Sequence, residues 1–173
     1  MKKLNPLDLK LLFELMKNAK TTDRKIAKAL GVSQPTITRR RAQIEKELID
    51  GYTAIPKWSK IGYEIIAVTL VKSPFKFASK ENSKSAYGRA TEWMAKQPNV
   101  IMGCGCRGMG MTGIMISLHK SYAELDEFLI DHRQQLGDIL EDVQTVIVNL
   151  SGKECYRPLH LKYLAETRME ETS

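Results

Sequence analysis

The chain is poor in cysteine and in aromatic residues, and it has no long hydrophobic run. Three Cys in 173 residues, two of them separated by a single residue, do not make a disulfide framework. The longest apolar run, Ile65 to Val71, is interrupted by Thr69 and falls well short of the roughly 18 residues that a membrane span needs. Met1-Lys2-Lys3 opens like a secretion signal, but Asp8, Lys10 and Glu14 break the apolar stretch that should follow. The expectation is a cytoplasmic protein with no membrane partner. No Gly-Lys-Ser/Thr phosphate loop, catalytic triad or carboxylate pair is legible. The sequence therefore predicts no catalytic residues, no cofactor and no metal ligands. His119, His132 and His160 are dispersed and are expected at the surface or at helix ends.

What is present is 43% apolar residues, enough for packed cores, and an uneven charge. The net charge is +7. Residues 1–62 carry 14 Lys and Arg against 6 Asp and Glu, so the whole basic excess lies in the first third. A small basic unit beside a nearly neutral larger one suggests a polyanion-binding module joined to something else.

Pattern sharpens that suggestion. Asn5-Pro6 and Asp8 mark a helix start, and Leu4, Leu7, Leu11 and Leu15 form one apolar stripe. Thr22 is placed to cap a short second helix, Asp23 to Leu30, with Ile26, Ala27 and Leu30 inward. Gly31 ends that helix, Ser33 caps a third, and Pro35 sits in its first turn. Ala27 and Gly31, four residues apart, give the close crossing and tight turn of a helix-turn-helix. Ile37, Ile44 and Leu48 face inward if Arg41 fills the gap with its aliphatic stem. Gln34, Pro35, Thr36, Thr38, Arg39 and Arg40 then lie near the outward start of the third helix. Gln suits adenine, Arg suits guanine and the Thr methyl packs on thymine, so double-stranded DNA is the expected partner. Thr22, Lys25 and Ser33 are placed to hold phosphates. Asp50-Gly51 predicts a turn and then a short strand, giving a winged variant. Proline-marked Pro56 to Lys60 reads as a linker, with the boundary near Ser59.

The remainder alternates. Glu64 to Lys72 reads as a strand, Ser73 to Lys84 as a loop, and Ser85 to Gln97 as a helix with Ala86, Ala90, Trp93 and Met94 inward. Val100 to Cys106 and Gly113 to His119 read as strands around a stretch holding five Gly. Ser121-x-x-Glu124 opens a helix burying Leu125, Phe128, Leu129 and Leu136. Gln144 to Leu150 is the fourth strand. The fold class is α+β: a three-helix (winged) helix-turn-helix in residues 1–59, then a ferredoxin-like βαββαβ domain in residues 60–173. Both helices cover one sheet face, and the inexpensive cover for the other is a second copy, so a symmetric homodimer is predicted. The tail from Cys155, with Leu159, Leu161 and Leu164, is expected on a partner or on the sheet edge. Cys104 and Cys106 project to one strand face, as packing thiols or as a redox pair. Met102, Met109, Met111 and Met115 crowd the same region and suit an adaptable interface or pocket.

Leu7-Asp8-x-Lys10, Ile26-Ala27-x-x-Leu30-Gly31-Val32-Ser33, Ile37-Thr38-Arg39-Arg40, Ile49-x-Gly51-Tyr52-Thr53-Ala54 and Gly62-Tyr63 together resemble the Lrp/AsnC family of transcription regulators. The resemblance implies a DNA-binding regulator whose sheet domains pair face to face, often in higher assemblies. It carries a DNA-reading role to Gln34, Thr36, Thr38, Arg39 and Arg40. It also implies a small-molecule effector site in the glycine-bearing loop, here Gly108, Gly110, Met111, Thr112 and Gly113. The family's Gly-Asp-Tyr-Asp is replaced by Gly110-Met111-Thr112-Gly113, which leaves no acid for an α-amino group and makes an amino-acid effector doubtful. Arg41 stands where an aliphatic core residue is usual, and the Ser73 to Lys84 loop is long. Siroheme decarboxylases resemble the same two-domain scaffold, so an enzyme acting on a tetrapyrrole is the alternative reading.

Overall fold

A computed structural model describes residues 4–74, 80–152, 157 and 160–170. The chain forms two compact units, Met1–Ile55 with Arg157–Ser173, and Pro56–Tyr156. The division therefore falls a few residues before Ser59. The tail also returns to the first unit instead of belonging to the second.

The first unit holds α1 (Pro6–Lys17), α2 (Asp23–Leu30) and α3 (Gln34–Glu47). Asn5 Oδ1 accepts the Leu7 N–H at 2.9 Å and Pro6 takes the first helical position, so α1 starts where its first donors are satisfied. Gly31 ends α2 in the left-handed region at φ 67°, which frees the chain to turn at once into α3. Ser33 Oγ accepts the Thr36 N–H at 3.4 Å and caps α3. Thr22 occupies the corresponding place before α2, but its side chain makes no capping bond. The three helices share one core of Leu11, Leu15, Ile26, Ala27, Ile37 and Ile44. Phe13 is buried yet outside that core, on the opposite side of α1. The last described helix, Lys162–Glu170, packs against α1, and its Ala165 is completely buried. Leu161 and Leu164 are exposed, so the small residue makes the close contact and the leucines flank it. Leu159 and Cys155 lie outside the described residues. No strand forms after α3: residues 51–57 carry no strand pairing, since a single extended segment finds no ladder partner in this unit.

In the second unit the strands are β1 (Ile65–Lys72), β2 (Val100–Gly108), β3 (Met111–His119) and β4 (Asp142–Asn149), with helices α4 (Lys80–Ala95) and α5 (Tyr122–Leu136) and, beyond it, α6 the tail helix named above. The sheet is antiparallel in the order β2-β3-β1-β4, the expected ferredoxin-like arrangement. Helix α4 begins at Lys80, five residues before the sequence reading, because no Pro or Gly stands in Lys80 to Lys84 to stop it. The expected inner residues are the observed core: Trp93, Leu125, Phe128 and Leu136, flanked by Ala86, Ala90, Met94 and Leu129. The glycine-rich stretch is mostly strand. Met109 (φ 54°) and Gly110 (φ 75°) make a two-residue turn with both φ values positive, the hairpin geometry that matches strand twist.

Two histidines expected at the surface are instead in the core, because each has polar or aromatic neighbours that accept a neutral ring. His119 is fully buried, with Nε2 2.8 Å from Ser117 Oγ and Nδ1 3.3 Å from Asn99 Nδ2. His132 is buried edge-on to Trp93, ring centroids 4.9 Å apart. Burial pushes both below the ordinary histidine value. The unfolded chain therefore takes up these protons first, near pH ~6.5, and stability present above that pH is lost as pH falls toward the folded-state values. Thermal melts from about pH 8 to about pH 5 should show the second unit weakening before the carboxylates titrate. An unchanged melting temperature across that range would contradict two neutral core histidines.

The sheet face turned away from the helices is largely apolar, with Gln144 opposite Leu70 the polar exception on β4. Register places Ile66, Val68 and Leu70 beside Ile116 on one side and Val146 and Val148 on the other. Val146 is 57% exposed and Val148 41% in the single chain.

Candidate nucleic-acid interface

Helix α3 turns Ile37 and Ile44 into the core, which fixes what its other sides present. Gln34, Pro35, Thr38 and Arg39 are exposed, and so are Thr22, Lys25 and Ser33. Thr36 is half-buried, its hydroxyl 2.8 Å from Ser33 Oγ. The Thr38 hydroxyl donates to Asp23 Oδ2 at 2.7 Å, tying α3 to the start of α2. Among the described residues, the side chains of Gln34 and Arg39 make no hydrogen bond, so both can engage a partner's edge.

The three consecutive arginines have three different tasks. Arg39 faces solvent. Arg40 does not lie at the reading face: its Nη1 meets Asp8 Oδ1 at 2.8 Å, with side chains 23% and 12% exposed, and its Nε is buried without a hydrogen-bond partner. One residue along a helix is a rotation of about 100°, enough to move a guanidinium from solvent to the α1 side. Arg41 pairs instead of lying along the core. It donates to Glu45 Oε1 at 2.9 Å, to Asp23 Oδ1 at 3.0 Å, and to the carbonyls of Ala19 and Thr21, both at 3.2 Å. It thereby ties the α1–α2 connection to α3.

These bonds shift the neighbouring acids. The Thr38 hydroxyl, with Arg41, holds the Asp23 carboxyl below its usual value, and the Tyr52 hydroxyl, with Arg41, does the same for Glu45. Burial and the Glu45 charge push the Tyr52 phenol up. The acids favour the folded unit above about pH 4, and that contribution is lost on acidification.

Sequence reasoning passed over Asp8 as a partner and took it as a helix-start acid. The signal was available: Asp8 stands one turn before Leu11 on the buried stripe, where a carboxylate needs a cation. It also passed over Arg24, Lys28 and Lys46, all exposed on α2 and α3.

The proposed effector residues lie at the β2–β3 hairpin. Gly108 and Gly110 have positive φ, Met111 is buried, and Thr112 Oγ1 accepts the Ser73 N–H at 2.9 Å and donates to the Val71 carbonyl at 3.3 Å. Thr112 thus fastens the hairpin to the end of β1. Cys104 and Cys106 are free thiols, and no group of three His, Cys, Asp or Glu among the described residues is placed to hold a metal. No described helix is long and apolar enough to cross a membrane.

A tri-helical unit with a capped, cation-bearing third helix is a helix-turn-helix domain, here joined to a ferredoxin-like sheet unit. Residues 4–45 match the AsnC-type helix-turn-helix domain. The leucine-responsive regulatory protein of Rhizobium meliloti is 32% identical over 91 residues, covering 52% of this chain and 57% of that protein. The HTH-type transcriptional regulator LrpA of Pyrococcus horikoshii is 37% identical over 62 residues, 35% of this chain and 44% of that one. The chain thus spans about half the length of the curated relatives it matches. Among solved structures, E. coli AsnC superposes with a TM-score of 0.69 at 22% identity, covering 91% of this chain and 98% of that one. A Neisseria meningitidis transcriptional regulator in complex with L-Met gives 0.74 at 19% identity, covering 94% and 99%. These two share the fold. Residues 4–45 are thus similar to the AsnC-type helix-turn-helix domain, and the chain is similar to curated Lrp proteins over about half of their length.

Proposed function

We propose that the chain is a sequence-specific DNA-binding transcription regulator that acts as a homodimer or larger assembly, and is not an enzyme. The observation that carries this reading is the exposed side of α3, where Gln34 and Arg39 are free of partners among the described residues, with further exposed cations Arg24, Lys25 and Lys28 on α2 and Lys46 farther along α3. Arg39 and Gln34 read base edges in the major groove, while the cations and the Ser33-capped helix start hold phosphates. Arg40, Arg41 and Thr38 keep the helices in register instead of touching bases. The second copy covers the apolar sheet face, and the two-fold gives two reading helices for half-sites one duplex turn apart. The Neisseria neighbour's L-Met supports an effector in this fold, but the hairpin here offers no carboxylate for an α-amino group.

Selection of bound sequences from a random DNA pool tests this reading. A two-fold symmetric motif is the expected result, and recovery of no enriched sequence would sink it. Binding to the selected site should weaken steeply with added salt, since phosphate contacts release counterions. A flat salt profile would remove the phosphate contribution. Titration with siroheme addresses the enzyme alternative, and no change in the tetrapyrrole spectrum is expected.

A further inference from the structure

The second unit contains a cavity of about 440 Å³ between the β2–β3 end of the sheet and helices α4 and α5. Trp93, Met94, Leu136 and Ile139 form apolar walls, Gly105 part of the floor, and His132 is a polar group in the lining, which also holds Ser73, Tyr87 and Thr112. The volume is within the range of small-molecule sites and about three times that of the roughly 150 Å³ engineered apolar cavity that holds benzene in another protein.

The glycines on this face are not equivalent. A β-carbon at Gly103 would displace the end of the Met94 side chain, and one at Gly113 would come within 2.7 Å of Val71 Cγ2, so at both positions a neighbouring side chain would have to give way. At Gly105 a β-carbon meets nothing closer than the Thr112 carbonyl oxygen at 3.8 Å, and the residue does not have positive φ. Neither sterics nor backbone conformation asks for glycine there, and glycine weakens a strand interior. Its effect is to leave the cavity floor bare.

His132 supplies the second observation. It is 4% exposed and lines the cavity, yet makes no hydrogen bond among the described residues; Trp93 offers only a ring contact. Its unpartnered ring nitrogens keep accessible surface, and a neutral imidazole has one donor and one acceptor to offer.

We propose that this cavity binds an uncharged, largely apolar molecule about the size of a bicyclic aromatic, oriented by one hydrogen bond to His132. Burial keeps the ring neutral, which disfavours a charged ligand in such apolar walls. The site lies beneath the helices and shares Thr112 and Gly113 with the candidate effector hairpin, but not Gly108, Gly110 or Met111 at its tip. It does not rest on the DNA-binding reading, because it is tested without DNA.

The test uses the full chain and two probes of equal shape, indole, which carries an N–H, and indene, which does not. Titration calorimetry should show indole binding about tenfold tighter than indene, the worth of one neutral hydrogen bond. His132→Phe should bring the two probes level. Gly105→Leu should fill the cavity, abolish binding of both and raise the melting temperature of the unliganded protein. If His132→Phe does not fold, the wild-type ratio and Gly105→Leu decide. Failure of both probes to bind wild type, equal affinity of wild type for the two, or wild-type indole affinity in Gly105→Leu would each overturn the proposal.

Discussion

Arg39→Ala is expected to weaken binding to a selected DNA site by about 10- to 100-fold while leaving the melting temperature unchanged. A guanidinium that grips a guanine is worth about 1–3 kcal/mol of binding, and each 1.4 kcal/mol or so is tenfold. Arg39 is exposed and makes no hydrogen bond among the described residues, so its removal has little to disturb in the free protein. Arg40→Ala should behave in the opposite way. It leaves Asp8 on the buried side of α1 without its cation. Stripping one partner from a fully buried pair costs ~3–5 kcal/mol. With side chains 23% and 12% exposed, water takes up part of the loss, and about 2 kcal/mol is expected. The first unit should then melt several degrees lower. Measured well below that melting point, DNA affinity of Arg40→Ala should stay within about threefold of wild type. A hundredfold loss of DNA affinity in Arg40→Ala with unchanged stability would return Arg40 to the reading face. Joint replacement, Asp8→Leu with Arg40→Met, should recover most of the lost stability, since an apolar pair leaves no unpaired charge behind.

Val146→Asp is expected to dissociate the proposed dimer. Val146 stands opposite Val68 on the bare sheet face and is 57% exposed in the single chain. Two-fold pairing of sheets would bury one new carboxylate from each copy in apolar surroundings with no cation assigned to it. At a penalty of about 3 kcal/mol or more, the dimer dissociation constant should rise over a hundredfold. Sedimentation equilibrium reads this directly. Ile130→Asp, equally exposed but on α5, should leave assembly unchanged. DNA affinity of Val146→Asp should fall as well, because two linked reading helices bind far better than one. If Val146→Asp sediments as wild type does, the copies meet elsewhere.

The helices and strands were legible because their apolar periodicities are long and their caps distinct. Trp93, Leu125, Phe128 and Leu136 were assigned inward from spacing alone, and all are buried. Gly31 and Ser33 announced the turn because backbone sign and a free N–H leave few residue choices. What stayed illegible depended on partners distant in sequence. Arg39 and Arg40 are neighbours in the chain, and only the position of Asp8, thirty-two residues away, separates a reader from a structural pair. A lone histidine carries no periodic signal, so the sequence offers His119 and His132 as surface or helix-end groups. The leucines of the tail point to a partner or to the sheet edge, whereas the tail forms a helix that packs on α1 and buries Ala165. Residues 51–57 have the composition of a strand, but pairing needs a neighbour that composition cannot supply.

The α1–α6 contact has a consequence for how the protein is made. The helix that packs against α1 is translated after the whole sheet unit and leaves the ribosome after it. The DNA-reading bundle therefore stays incomplete on the nascent chain until the sheet unit, and with it the means of pairing with another copy, is already available. Expression fragments ending near residue 55 would lack that cover and leave the outer side of α1 open to water.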